Sequence, residues 1–150
     1  MKNKGFTIIE LIVVIVIAGV LLLLAVPAFR GLYNKGQLEV ARNEVMGFYQ
    51  RAHRYATTAG VDYVLQVDET KGVLRCMVDT TSVIVRDSLV LSSRLSIYHG
   101  GGGSLSYVLH PDGFVEYGDT LTGFFVSDKN TGDSLKFYIS PLGTIEVEKR

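Results

Sequence analysis

One carboxylate, Glu10, stands inside the most apolar stretch of this 150-residue chain, Lys4-Gly5-Phe6-Thr7-Ile8-Ile9-Glu10-Leu11-Ile12-Val13-Val14. From Phe6 to Phe29 no other residue is charged, and from Leu11 to Val26 no side chain is polar. A carboxylate within a hydrocarbon span costs about 2.5–3.5 kcal/mol on insertion scales, so its presence implies a use. A buried carboxylate is tolerated when a cation pairs with it. The apolar run holds no cation, but a cut after Gly5 would create one, the α-amine of Phe6. That amine lies one helical turn from Glu10 on its own chain and at a similar depth on a neighbouring chain. The chemistry open to Glu10 is therefore charge pairing, within a chain or between chains.

Other residue clusters offer less. Gly100 to Gly103 lack the Gly-Lys-Ser/Thr sequence and the following helix of a phosphate-binding loop, and read as a hairpin loop. Asp128-Lys129-Asn130-Thr131-Gly132-Asp133 echoes a calcium loop, but its glycine comes one position early and Ile139 stands where a closing glutamate belongs. His53, His99 and His110 are scattered, and no Cys/His spacing suits zinc. No Gly-x-Ser-x-Gly elbow occurs. Nothing in these clusters forms an active site, so the expectation is a protein that is not an enzyme, with no cofactor and no metal.

The element that must carry Glu10 is the run Phe6 to Val26, 21 residues that span roughly 31 Å as an α-helix, about one hydrocarbon thickness. Its β-branched residues are poor helix formers in water, but lipid offers the backbone no other partner. Three readings fit. A secretory signal peptide would use Lys2 and Lys4 as its basic end and Val26-Pro27-Ala28 as its cleavage site, but Glu10 would then interrupt the apolar core. A plain membrane anchor explains the length and leaves Glu10 without a role. A span cut after Gly5 gives Glu10 a partner. Basic residues flank both ends of the run, so charge alone does not orient it.

After Pro27 the pattern turns amphipathic. Leu38, Ala41, Val45, Phe48, Ala52, Tyr55 and Ala59 recur at steps of three and four, marking one buried helical face, and Gly60 reads as the stop. The expected structure is one long helix, interrupted or bent at Pro27, with Gly31 and Gly36 weakening the junction. Beyond Gly60, alternation appears in Val61 to Val67, in Leu105/Tyr107/Leu109 and in Leu135/Phe137/Ile139, with turn residues between the runs. About eight short antiparallel strands are expected, with the stem's apolar stripe over one face. His110-Pro111-Asp112-Gly113-Phe114-Val115 and Ser140-Pro141-Leu142-Gly143-Thr144-Ile145 predict two similar hairpins.

Net charge is zero, but it is uneven: Arg30 to Arg54 carries +3 and Val61 to Arg150 carries −4. A mildly acidic body argues against a nucleic-acid-binding domain. Cys76 is the sole cysteine, which excludes an intramolecular disulfide.

The basic leader, the Gly5-Phe6-Thr7 junction, the single Glu10 and the unbroken apolar run together resemble the class III signal of type IV pilins and type II secretion pseudopilins. Thr7, Leu11 and Pro27 also match positions usual in that family. The resemblance implies leader removal after Gly5 by prepilin peptidase, N-methylation of Phe6, and filament assembly guided by Glu10. It implies other pilin or pseudopilin subunits and an inner-membrane assembly platform as partners, an inner-membrane location, and a head outside the cytoplasm. Residues 28–150, with their paired Pro-x-Gly hairpins and no disulfide, resemble the GspH/FimT branch. Some members of that branch carry a Gly-Arg-x-Arg tail associated with DNA binding; here Gly143-Thr144-Ile145-Glu146 stands in its place. The expected layout is α+β: a leader (1–5), a membrane and assembly helix (6–29), an amphipathic stem (30–60) and a β-rich head (61–150).

Overall fold

The computed structural model describes residues 7–78, 84–118 and 123–150, with backbone alone at 26–35. Helix α1 covers Ile8–Ala59. Its assignment passes through Pro27 without the interruption that the sequence offered as one possibility there. The chain divides into two compact units at Gly36/Gln37, a few residues beyond the junction expected from sequence.

In the first unit, the helix from Ile8 to Ala25 has a mean hydropathy of 3.2 and buries none of its side chains within the protein. In the second unit, the helix ends as expected. Gly60 takes a left-handed φ of 69° and its N–H returns to Ala56 O at 3.0 Å, a conformation without penalty for glycine.

Leu38, Ala41, Val45, Phe48 and Ala52 are buried, as the periodicity predicts. Two positions differ. Ala59 is exposed and Tyr55 only half-buried, whereas Tyr49 and Ala56 are buried instead. The buried stripe advances from Val45 and Ala52 by steps of four, to Tyr49 and Ala56, so Tyr55 and Ala59 fall at its margin.

Nine strands are seen among the described residues, one more than expected, and every pairing is antiparallel. They are β1 (Tyr63–Asp68), β2 (Val73–Val78), β3 (Ile84–Val90), β4 (Leu95–Tyr98), β5 (Ser104–Leu109), β6 (Val115–Tyr117), β7 (Gly123–Asp128), β8 (Ser134–Ile139) and β9 (Ile145–Lys149). One sheet has the order β3-β2-β1-β5-β6, the other β4-β7-β8-β9. The fold is α+β, with a helix leading into an antiparallel head. Inward side chains alternate along the strands, for example Leu105, Tyr107 and Leu109 on β5 and Leu135, Phe137 and Ile139 on β8. They join the buried face of α1 in one hydrophobic core. Burying each such side chain contributes about 1.5–3 kcal/mol.

The two Pro-x-Gly hairpins close in the same way. Gly113 N–H donates to His110 O at 3.0 Å, and Gly143 N–H to Ser140 O at 3.0 Å. They lie side by side and tie the sheets together: Val115 N–H donates to Pro141 O at 2.9 Å, and Tyr117 Oη to Ile139 O at 2.7 Å. The helix meets them here. Tyr49 Oη donates to Gly143 O at 3.0 Å, and His53 Nε2 lies 3.2 Å from Gly113 O. Burial pushes the Tyr49 phenol up to about 12, which keeps it a donor.

Candidate assembly site

Glu10 lies in the first turn of α1, and its partner is on its own chain. The Thr7 N–H and the Thr7 hydroxyl both donate to Glu10 Oε2 at 2.9 Å. The Glu10 N–H in turn points to Thr7 Oγ1 at 3.4 Å. This is a capping box, in which a threonine at the helix start and a glutamate three residues on each satisfy a backbone donor that the helix leaves open. The negative end also faces the positive end of the helix dipole. Oε1 receives no bond from the described residues.

The Thr7 interaction was not among the contacts expected of Glu10. The signal was present, because Thr-x-x-Glu directly before an apolar run is the sequence signature of that cap. The cap answers part of the question Glu10 raises: a single chain can hold the carboxylate before any neighbour does. Around it, Ile9, Val13 and Val14 are open to the surroundings, so Glu10 sits on a wholly apolar, unburied helix surface.

The other expected site residues fall elsewhere. Gly5 and Phe6 lie outside the described residues. Pro27 is within the helix, at a position whose side chain is not described. The residues that echoed a calcium loop form the β7–β8 turn. Asp128, fully buried, accepts from Arg94 Nε at 3.1 Å on each oxygen and from Arg94 Nη2 at 3.0 Å. It also takes the Asn130 N–H at 2.8 Å. The Arg94 bonds, with these turn amides, hold its carboxyl below the usual range against the opposing effect of burial. Asp128 is thus committed to an ion pair and its own turn. His53 packs against the twin hairpins through Nε2, 3.2 Å from Gly113 O.

Residues 1–26 match the family described as the prokaryotic N-terminal methylation motif. No curated protein matches the chain significantly. Among solved structures, the minor type IV pilin FimU of Pseudomonas aeruginosa (strain PAO1) is similar with a TM-score of 0.57 and 16% identity, covering 76% of this chain and 90% of that one. A second crystal form of that pilin gives 0.54 and 17%, covering 74% and 92%. The minor pseudopilin EpsH of the Vibrio cholerae type 2 secretion system gives 0.52 and 14%, covering 75% and 97%. At such identities the likeness establishes a common fold.

Proposed function

We propose that this chain, type IV pilin-like in its amino-terminal motif and in its fold, is a structural subunit of a membrane-assembled filament, a minor pilin or minor pseudopilin. The observation that carries the reading is the conjunction of two independent features. A methylation motif covers residues 1–26, and about three quarters of the chain (76% and 75%) is similar in fold to a minor pilin and a minor pseudopilin. Neither feature depends on the other, since an apolar amino terminus can precede any exported domain.

In this reading prepilin peptidase removes residues 1–5 and Phe6 becomes the methylated amino terminus. The apolar helix holds the subunit in the inner membrane with its head on the outer side. Glu10 then leaves its Thr7 cap to pair with the Phe6 amine of a neighbouring subunit as the assembly platform extracts it. An unpaired carboxylate is costly in lipid, so the pairing both draws subunits together and fixes their axial register. The head supplies the surface by which the subunit takes its place, and the filament supports secretion or pilus function.

Mass spectrometry of the protein purified from membranes tests the processing. The expected mature chain begins at Phe6 with one added methyl group. A chain beginning at Phe29 would mean an ordinary signal peptide, and an uncut chain would mean a plain anchor.

A further inference from the structure

A polar cavity of about 220 Å³ lies where the β1–β2 turn meets the segment leading into β4. Glu69 lines it. Its N–H donates to Gly103 O at 3.1 Å, and its Oε2 lies 3.5 Å from both the His99 N–H and His99 Nε2. The His99 side chain is 1% exposed. Its other ring nitrogen, Nδ1, accepts from the Gly101 N–H at 3.3 Å. Accepting there places the neutral ring's hydrogen on Nε2, aimed at Glu69. Among the described residues that Nε2 makes no proper hydrogen bond, and a buried orphan donor calls for a cause.

The glycine run makes this arrangement feasible. Gly100, Gly102 and Gly103 have φ of 84°, 69° and 91°, a region costly for other residues. The loop folds back so that Gly101 fixes the imidazole and Gly103 fixes the Glu69 backbone. Loop, histidine and glutamate thus form a chain of contacts that ends in the cavity.

The rest of the lining narrows the ligand. Thr70, Ser92 and Ser93 bring hydroxyl-bearing residues, while Leu91, Leu95 and Ile97 are apolar and buried. The two ammonium groups are already engaged, Lys129 with Ser93 O at 2.8 Å and Lys71 with Asp68 at 3.9 Å. An anion would meet Glu69 without an uncommitted lysine. A metal ion would meet one carboxylate beside two ammonium groups. A neutral molecule with several hydroxyls and one C–H edge meets neither obstacle: its hydroxyls can donate to Glu69 and exchange bonds with the serines, and its C–H edge can meet the small part of Leu91 and Leu95 that the core leaves open.

We propose that this cavity binds a sugar-sized polyol, with Glu69 as principal acceptor and His99 as the residue that positions it. The site lies in the head and is independent of the assembly role of Glu10.

Saturation-transfer NMR tests this on the full chain in phosphocholine micelles, a sugar-free detergent, with D-glucose and N-acetylglucosamine as probes. Transfer to the sugar protons is expected for at least one probe. Glu69→Gln should weaken that binding about tenfold or more, as loss of a charged hydrogen bond does. Ser93→Ala should weaken it independently from another element. His99→Phe should weaken binding, and His99→Gln, which retains an N–H donor, should restore part of it, a rescue that a purely structural histidine would not give. Circular dichroism verifies that each variant is folded. Absence of transfer from both sugars, transfer unchanged in Glu69→Gln, or displacement of the sugar by inorganic phosphate would each overturn the proposal.

Discussion

Glu10 has two prospective partners, Thr7 within the chain and the Phe6 amine of a neighbour, and the balance between them sets how readily a subunit assembles. Glu10→Leu should leave insertion intact or improve it, because it removes a charge from lipid. It should nonetheless abolish cross-linking or co-purification with other pilin-like subunits. Glu10→Gln keeps the shape and the Thr7 contact, so the same defect there would assign the effect to charge. Leu11→Ala, which alters only apolar contact, should be better tolerated. If Glu10→Leu assembles like wild type, the carboxylate has no assembly role. Thr7→Val tests the cap itself: its loss costs about 1 kcal/mol of helix start, and faster hydrogen exchange in the first turn of α1 would report it. In the head, His110 is the residue with a pH signature. Its Nδ1 lies 2.9 Å from Asp62 Oδ1 and its Nε2 lies 3.5 Å from Glu116. The Asp62 bond raises its pKa most, burial opposes, and the Asp62 charge, the Glu116 hydrogen bond and the Asp112 charge add to the rise. The folded value therefore exceeds the unfolded one near 6.5. The contribution to stability is complete below that value and fades as pH rises through the folded pKa. Both carboxylates are largely exposed, so the effect is at most about 1 kcal/mol. Thermal melts should lose a small increment across and just above neutral pH, and His110→Gln should remove the dependence.

The elements were legible to the extent that their periodicity was. Leu38 to Ala52 announced their buried face, and Gly60 announced the helix end, because a 3.6-residue repeat and a left-handed stop are local properties. The strand segments around Val64, Tyr107 and Phe137 were legible through alternation for the same reason. What could not be read was pairing across the chain: the order β3-β2-β1-β5-β6, the companion sheet, and the meeting of the twin hairpins depend on contacts far apart in sequence. The hairpins looked alike, yet nothing local said that they would touch. That contact makes their glycines unequal. A Cβ at Gly143 would collide with Gly113 O and come within 2.7 Å of His53 Nε2, whereas at Gly132 nothing among the described residues lies within 4 Å. Both have φ of 75°, so Gly132→Ala should show only the backbone penalty, about 1–2 kcal/mol. Gly143→Ala should add the clash and cost about 3 kcal/mol or more. The difference between their melting temperatures measures the junction directly, and equal shifts would mean that the hairpins and His53 yield without cost.

At the scale of the whole molecule, the division at Gly36/Gln37 separates a helix built for lipid from a body with its own core. A chain beginning near Gln37 retains the buried stripe from Leu38 onward and all nine strands, and should be soluble with mixed helix and strand in circular dichroism; a disordered or mostly helical spectrum would contradict this. Within that body the single thiol of Cys76 is fully buried on β2. Burial, with the charge of Asp87, pushes it up to about 12, with Arg86 opposing. At neutral pH the reactive thiolate is then on the order of one molecule in 10⁵, before access is considered. Iodoacetamide should leave the native protein unlabelled and modify it once in denaturant; labelling of the native state would mean that β2 opens. The molecule therefore carries a chemically silent background. A cysteine introduced at Val40 or Leu142, both open to solvent, would be the only handle that a spin label, a fluorophore or a bifunctional reagent could grasp, and the distances between neighbouring copies could be measured without altering any native side chain beyond that one.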